Sequence, residues 1–181
     1  MKLYFVTSND NKLREAEQIL EKKIEKIDLD IDEIQTVDVE EVVKDKAHKA
    51  YDVVKKPVFV EDTGLYFTGM KGFPGALIKW LLQSVGTKGI CKVVDGFERK
   101  AVAKASICLY DGKKYNIFTG EVKGSITENP KGSSNFGWDP VFQPKGYDKT
   151  FAEMPAEKKN KISHRKLAFM KMKEFLDKIK K

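Results

Sequence analysis

The chain reads AVAKASICLYDGKKYNIFTGEVKGSI from Ala101 to Ile126. Branched and aromatic residues recur on both sides of Asp111-Gly112, a dipeptide that favours a tight turn between antiparallel strands. The pattern predicts a β-hairpin with strands at Ala101–Tyr110 and Lys114–Ile126. This hairpin gives the second half of the chain an antiparallel character.

The first half of the chain alternates short apolar runs with segments of helical periodicity. Strands are expected at Lys2–Thr7, Ile24–Ile31 and Val58–Val60, and helices around Leu13–Leu20, Val43–Val54 and Ala76–Val85. A short helix is expected to continue to Val94. Because strands and helices alternate here and a hairpin follows, we expect an α/β fold with a mixed β-sheet flanked by helices.

Composition limits the class of protein. The chain has 181 residues, of which 41% are hydrophobic, and this length and content suit one domain spanning 1–181. Aromatic and branched residues recur too regularly along the chain for it to be disordered. No apolar run approaches the roughly 20 residues of a membrane span, and the start lacks a secretion signal, so we expect a cytoplasmic protein. Cys91 and Cys108 lack metal-like spacing, and we expect two buried thiols.

The net charge of +7 is concentrated at the end of the chain. Ala156–Lys181 contains nine lysines, one arginine and only three acidic residues, whereas the rest of the chain has no net charge. Such a tail could bind nucleic acid or an acidic membrane. The helical spacing of Phe169, Met172, Leu176 and Ile179 instead predicts an amphipathic helix with a solvated lysine face, capped by Ser163. We therefore expect neither a nucleic acid nor a membrane as partner.

A polar turn, Thr7-Ser8-Asn9-Asp10-Asn11-Lys12, joins the first strand to the first helix. Backbone N–H groups, the helix dipole and Lys12 would suit a phosphate there. An ordinary helix cap explains the same residues. Neither GxxxxGK[ST] nor GxGxxG occurs, so a P-loop or a dinucleotide-binding mechanism is not supported.

Carboxylates follow the third expected strand. Glu61 and Asp62 precede an expected turn at Thr63-Gly64, and Glu33 follows the second strand. Clustered carboxylates favour a cation, and Mg²⁺ is indicated when a polyphosphate also binds. A carboxylate that the metal does not use could deprotonate a water. A solvated acidic turn is the alternative, particularly for Glu61, which alternates away from Asp62.

Two further segments carry candidate binding residues. Phe136 and Trp138 flank Gly137 in a polar loop, where aromatic rings could stack on a nucleobase. One of these rings could instead be a hydrophobic plug. The segment Lys158–Arg165 places cations and His164 at the start of a helix, where they oppose the helix dipole and favour anion binding.

Five motifs together resemble the inosine triphosphate pyrophosphatase family. They are Thr7-Ser8-Asn9-Asp10-Asn11-Lys12, Glu61-Asp62-Thr63-Gly64-Leu65, Gly72-Phe73-Pro74-Gly75, Phe136-Gly137-Trp138-Asp139-Pro140 and Ser163-His164-Arg165. The resemblance implies an elongated α/β fold of two lobes around a twisted mixed sheet, with the active-site cleft between the lobes, usually in a homodimer. It also implies Mg²⁺-dependent hydrolysis of ITP, dITP and XTP to the monophosphate and pyrophosphate.

The resemblance assigns roles by position. Asp62 would be catalytic, and Glu33 and Asp62 would bind Mg²⁺. Among the substrate-binding residues, Ser8, Asn9 and Lys12 would hold the triphosphate, Lys46 would reach the phosphates and Phe136 would stack on the base. The base and phosphate pocket would be completed by Trp138, Asp139, Lys159, His164 and Arg165, and the remaining substrate-binding residues would be Thr7, Thr63 and Gly137. Ser8 departs from the glycine of many members, and Asp30, Asp32 and Lys44 are competitors for the roles of Glu33 and Lys46. A pyrophosphatase for pyrimidine or other modified nucleotides and a basic nucleic-acid-binding protein are the alternatives.

Overall fold

The computed structural model describes residues 2–133 and 137–179 of the chain. Within these residues the elements are β1 (Tyr4–Val6), α1 (Asp10–Leu20), β2 (Glu25–Ile27), α2 (Val39–Val54), β3 (Val58–Phe67), β4 (Pro74–Gly75), α3 (Ile78–Val93), β5 (Lys100–Tyr110), β6 (Tyr115–Ile126), β7 (Phe142–Pro144), α4 (Ala156–Ile162) and α5 (His164–Lys178). Short 3₁₀ turns occur at Thr68–Met70, Asp139–Val141 and Phe151–Glu153.

The strands of the described residues form one mixed sheet in the order β2-β1-β3-β5-β6-β7. Strand β1 runs parallel to β2 and β3, whereas β5, β6 and β7 continue the sheet in antiparallel pairs. Helices pack on its two faces. The expected fold class, a mixed sheet flanked by helices, is confirmed.

The hairpin predicted from residues 101–126 is confirmed. Strands β5 and β6 pair continuously from Lys100↔Ser125 to Tyr110↔Tyr115. Gly112 has a φ of +90°, which a glycine adopts without the steric cost of a Cβ atom. The turn residues therefore set the register of the two longest strands.

Strand β3 is longer than the sequence pattern predicts, and the expected turn at Thr63-Gly64 is wrong. The strand continues to Phe67 because it pairs with β5 along its whole length, and β4 joins it on the same edge as β1. A Cβ atom on Gly64 would lie 2.9 Å from the carbonyl carbon of Gly75, so this glycine permits a close approach of two backbones. Its place in the chain resembles a turn, but its role is in the sheet.

A gap in strand pairing lies in the middle of this edge of β3. Strand β1 pairs with Val58 and Phe59, and β4 pairs with Leu65 and Tyr66. Between them, residues 60–64 pair only with β5 among the described residues. Glu61, Asp62 and Thr63 therefore lie where the edge of the sheet is open.

The other expected strands are shorter than predicted. Lys2–Thr7 contains only the three residues of β1, and Ile24–Ile31 only the three residues of β2. The two strands pair with each other over Tyr4↔Glu25 to Val6↔Ile27. Residues 28–36 then leave the sheet, although Leu29 and Ile31 still pack on its apolar core.

The helices follow the expected pattern with one kink. Helix α3 covers the predicted helix and its continuation, and Gly86 interrupts it with non-helical dihedral angles. Phe5 and Phe59 stack at 4.4 Å, and the edge of Phe169 from α5 packs on both. This aromatic contact attaches the C-terminal helix to the parallel part of the sheet.

The C-terminal segment forms two helices rather than one. Ser163 caps α5 as predicted, because its hydroxyl accepts a hydrogen bond from the backbone N–H of Lys166 at 3.1 Å. The lysines Lys158, Lys159 and Lys161 lie within α4, so their placement at the start of a helix is wrong, whereas His164 and Arg165 do begin α5.

The amphipathic character of α5 is confirmed for most of its apolar residues. Phe169, Met172 and Leu176 are buried, but Ile179 lies beyond the helix and is 54% exposed, so its expected burial is wrong. Cys91 and Cys108 are buried free thiols, as predicted. Among the described residues, the model has no helix with the length and apolarity that a membrane span requires.

Candidate active site

A cavity of about 600 Å³ opens at the gap in the edge of β3. Its lining includes the predicted residues Thr7, Ser8, Asn9, Lys12, Glu33, Lys46 and Asp62, together with Glu61, Lys79 and Trp80. These residues come from the turn before α1, the segment after β2, helix α2, strand β3 and helix α3. We call this cavity the phosphate cavity, after the role predicted for its residues.

The turn before α1 is a capped helix start. The Oδ1 of Asn9 accepts hydrogen bonds from the backbone N–H groups of Asn11 at 2.9 Å and Lys12 at 3.2 Å. The hydroxyl oxygen of Thr7 accepts one from the N–H of Asn9 at 3.1 Å. The helix-cap interpretation is therefore correct for Asn9, and the turn still places the ammonium of Lys12 in the cavity.

Asp62 is a partly buried carboxylate that lines this cavity. Burial raises its pKa above the ordinary value, and the nearby carboxylates of Glu33 and Glu61 add to this effect against the charges of Lys12 and Lys46. One of its oxygens accepts a hydrogen bond from the N–H of Thr63 at 2.8 Å. A carboxylate with a raised pKa is a better proton acceptor than an exposed one.

Glu33 and Lys46 form an ion pair at the rim of the same cavity. Although burial by itself would raise the pKa of Glu33, the hydrogen bond and charge of Lys46 hold it below the ordinary value. Burial likewise opposes the charge of Lys46, but Asp62 and Glu33 together raise its pKa. Glu33 is therefore ionised, and its role in the sequence prediction is compatible with its position.

The donor set of this cavity fits a divalent cation that also binds substrate. Mg²⁺ commonly takes one or two carboxylates and completes its shell with water and phosphate oxygens. Glu33 and Asp62 are two such carboxylates. Burial raises the pKa of Asp62 and repulsion from nearby carboxylates adds to this, and a bound cation would oppose both effects. No cluster of three metal-ligating side chains occurs among residues 2–133 and 137–179.

A second cavity, of about 270 Å³, adjoins the first and shares Asn9, Lys12, Glu33 and Asp62 with it. It adds Thr63, Gly137, Trp138 and Arg165. Trp138 is 8% exposed and meets the edge of Phe142 at 5.8 Å, so the plug interpretation applies to this ring. Phe136, assigned to stack on the base, lies outside the described residues, and its role stays a prediction.

Asp139 and Lys159 line a third cavity, of about 480 Å³, together with Arg14 and Glu15 of α1. They form a buried ion pair. Burial raises the pKa of Asp139, against the opposing charge and hydrogen bond of Lys159. The structure thus brings these two predicted residues together, in a cavity other than the one that Asp62 lines.

His164 is buried between two aromatic rings, 5.3 Å from Trp138 and 6.0 Å from Phe151 between ring centroids. Neither of its ring nitrogens has a hydrogen-bond partner among the described residues. Burial, with the positive charge of Arg165, lowers its pKa to about 3. The ring is neutral at ordinary pH and presents two uncharged nitrogens.

Some residues of the site, among them Lys79 and Glu61, were given no binding or catalytic role by the sequence predictions. Lys79 of α3 lines the first two cavities, and its charge lowers the pKa of Glu33. Its position shortly after Gly72-Phe73-Pro74-Gly75, where a helix begins, could have pointed to it. Glu61 was treated as a solvated alternative, but its side chain is 0% exposed.

Glu61 is buried because it has two cationic partners. Its Oε2 lies 2.7 Å from the Nζ of Lys12, and its Oε1 accepts a hydrogen bond from the Nε of Arg165 at 3.0 Å. Although burial alone would raise its pKa, the charges of Arg165 and Lys12 lower it to about 2. No pattern near residue 61 reveals partners that are distant in sequence.

Comparison with known proteins adds the family. The chain is 44% identical to an inosine triphosphate pyrophosphatase of Yarrowia lipolytica, over 97% of this chain and 96% of that one. It is 39% identical to a dITP/XTP pyrophosphatase of Methanopyrus kandleri, over 97% and 96%.

Solved structures share the fold. A HAM1 protein from Coxiella burnetii matches with a TM-score of 0.86 at 24% identity, over 98% of this chain and 99% of that one. The Ham1 protein of Staphylococcus aureus matches with a TM-score of 0.78 at 26% identity, over 99% and 100%. The model of the Ham1 family matches residues 3–175. With sequence relatives, fold and motifs in agreement over nearly its whole length, this chain belongs to the Ham1 family.

Proposed function

We propose that this protein is a nucleoside triphosphate pyrophosphatase that hydrolyses ITP, dITP and XTP to the monophosphate and pyrophosphate. The observation that carries the proposal is the convergence of cations and carboxylates on one cavity: Lys12, Lys46 and Lys79 with Glu33 and Asp62. Such a cavity suits a triphosphate, whose cleavage requires charge neutralisation and a proton acceptor. Relatives at about 40% identity carry the names of pyrophosphatases for these nucleotides.

The chain's own residues act on the phosphates and on the water. Lys12, Lys46 and Lys79 bind the triphosphate and neutralise the charge that develops when the bond between the α- and β-phosphates breaks. Asp62 orients the attacking water and accepts its proton, for which its raised pKa is suited. The proton thus moves to a carboxylate oxygen, and the water oxygen bonds to the α-phosphorus while pyrophosphate leaves.

The proposed cofactor is Mg²⁺. Glu33 and Asp62 would hold it, and it would supply neutralisation of the charge on the leaving pyrophosphate. Glu33 would then hold the cation with the carboxylate that also pairs with Lys46. We expect this exchange to make activity dependent on the concentration of Mg²⁺.

Base selection is assigned to the second and third cavities. Thr63, Gly137, Trp138 and Arg165 line the second, and Asp139 and Lys159 the third. ITP and XTP carry an oxygen at the 6-position where ATP carries an amino group. A buried donor left without a partner by ATP would cost about 1–3 kcal/mol.

The test is release of pyrophosphate from ATP, GTP, CTP, UTP, dTTP, ITP, dITP and XTP, each with and without Mg²⁺. We expect rapid release from ITP, dITP and XTP only when Mg²⁺ is present, with the monophosphate as the second product. Release of orthophosphate, or a preference for UTP or dTTP, would contradict the proposal. Salt-sensitive binding to DNA or RNA without turnover would favour the nucleic-acid-binding alternative.

We also propose that the protein acts in the cytoplasm as a homodimer. Light scattering of the purified protein tests the dimer, with twice the chain mass of 20.6 kDa as the expected result. A species of the monomer mass at micromolar concentration would contradict it.

A further inference from the structure

Glu61 is a buried carboxylate that contacts both Lys12, which lines the phosphate cavity, and Arg165, which lines the second cavity. Glu61 contacts one cation with each of its two oxygens, and its side chain has no exposed surface. It is the neighbour of Asp62 on β3, at the gap in the sheet edge. None of the roles argued above for phosphate, metal or base binding uses Glu61.

The contact on the phosphate side is with Lys12. The ammonium lies 2.7 Å from Oε2 of Glu61 and also donates to the backbone carbonyl oxygen of Glu61 at 3.2 Å. Because a lysine side chain has several rotatable bonds, two acceptors on one residue restrict it far more than one would. Glu61 therefore sets where the Lys12 charge lies.

The contact on the base side is with Arg165. Its Nε donates to Oε1 of Glu61 at 3.0 Å, and its Nη1 donates to Glu15 at 2.9 Å. Glu15 lies one helical turn after Lys12 on α1. The four side chains thus form a chain of alternating charge, Lys12–Glu61–Arg165–Glu15, in which Glu61 is the member with no exposed surface.

We propose that Glu61 is a positioning residue that couples recognition of the base to placement of the triphosphate, by holding Lys12 and Arg165 at the same time. This inference rests on the proposed function, because it assigns the two cations that Glu61 contacts to the two ends of that substrate. A carboxylate carries negative charge on both oxygens and so attracts both cations, whereas an amide is neutral and offers one acceptor oxygen and one donor group. If Glu61 loses its charge, the positions of Lys12 and Arg165 are therefore no longer fixed relative to each other.

The first test compares kcat/KM for ITP and ATP in the wild-type protein and in Glu61→Gln. We expect the ratio of kcat/KM for ITP to kcat/KM for ATP to fall about ten-fold or more. The variant should lose more activity on ITP than on ATP, because ITP is the substrate whose base the site recognises. An equal loss for both substrates would show that Glu61 affects only folding or general activity, and would overturn the proposal. An unchanged ratio in a folded variant would also overturn it.

A second variant covers the case in which Glu61→Gln does not fold. Glu61→Asp keeps the charge but shortens the side chain by one methylene, so it cannot reach Lys12 and Arg165 together. We expect the ITP-to-ATP ratio to fall here too, and an unchanged ratio would overturn the proposal. Glu98→Gln is the matched control, since Glu98 pairs with Lys100 at the surface, and its ratio should equal that of the wild type.

A readout without substrate separates this proposal from the proposed function. NMR measures hydrogen exchange at the Nε–H of Arg165, and this exchange reports the contact with Glu61. The Nε–H signal is assigned by its absence from the spectrum of Arg165→Lys. We expect at least about ten-fold faster exchange in Glu61→Gln and Glu61→Asp than in the wild type, as a hydrogen bond is lost. Unchanged exchange overturns the positioning role, whereas a wild-type protein inactive on every nucleotide overturns only the proposed function.

Discussion

The imidazole of His164 lies against the indole of Trp138, with ring centroids 5.3 Å apart, and both imidazole nitrogens are buried without a hydrogen-bond partner among the described residues. This contact holds the ring in its neutral form. Protonation would place a charge in an apolar environment beside Arg165, which is why the pKa falls to about 3.

We predict that the stability of the protein falls between pH 6.5 and pH 5 because of His164. The unfolded chain binds a proton near the ordinary pKa of 6.5, whereas the folded chain does not until about pH 3. The unfolded state therefore binds more protons in this window. The stabilisation that neutral His164 provides is complete above pH 6.5. Below this pH, the free energy of unfolding should decrease by up to about 1.4 kcal/mol for each unit by which the pH falls.

Urea denaturation at pH 7.5, 6.5, 5.5 and 5.0 measures this slope. His164→Phe should remove most of it, and His48→Asn, which replaces the exposed histidine, controls for the loss of a histidine as such. If the pH dependence of stability persists in His164→Phe and disappears in His48→Asn, the effect comes from His48 and the prediction is wrong.

Asp62→Asn should abolish most of the turnover while the fold remains intact. The amide cannot accept the proton of the attacking water, and loss of a general base typically costs about 10²–10⁴-fold in rate. Initial rates of pyrophosphate release measure the effect, and thermal unfolding checks the fold. Asp52→Asn, which removes an exposed carboxylate paired with Lys55, should keep the wild-type rate. A normal rate in Asp62→Asn would remove this residue from the mechanism.

Glu33→Gln should raise the Mg²⁺ concentration required for half-maximal activity. The variant loses a ligand charge and its ion pair with Lys46, and changes around a metal site typically cost about 10–100-fold in metal affinity. Titration of activity with Mg²⁺ measures the shift. Asp32→Asn is the matched comparison, since Asp32 lines the same cavity and is exposed. A larger shift in Asp32→Asn than in Glu33→Gln would transfer the metal role to Asp32.

Gly75→Ala should destabilise the protein much more than Gly96→Ala. Both glycines have positive φ angles, of +56° and +82°, so both variants bear a backbone cost of about 1–2 kcal/mol. At Gly75 the new Cβ atom would also lie 2.2 Å from the carbonyl oxygen of Val37, whereas nothing lies within 4 Å at Gly96. Such a clash adds roughly 1–3 kcal/mol.

Free energies of unfolding in urea test the difference. Equal values for the two alanine variants would show that the close approach of β4 to the segment before α2 is not a constraint on the fold.

Local pattern determined those parts of the protein whose physical cause is local. The dipeptide Asp111-Gly112 between alternating residues identified the hairpin, and the hydroxyl of Ser163 identified the start of α5. Both depend on backbone groups within a few residues. The ends of the expected strands already predicted that Glu33 and Asp62 cluster, whereas the addition of Lys12 and Lys46 to that cluster came from the resemblance to a family.

Only the tertiary structure decided how far β3 extends and what Glu61 does. Thr63-Gly64 has the composition of a turn, and it remains strand because it pairs with Ala105 and Lys104 of β5. Glu61 belongs by pattern to a solvated edge, and it is buried because Lys12, 49 residues away, and Arg165, 104 residues away, neutralise its charge. A charged side chain is buried only where partners offset its desolvation, and those partners are brought together by the fold.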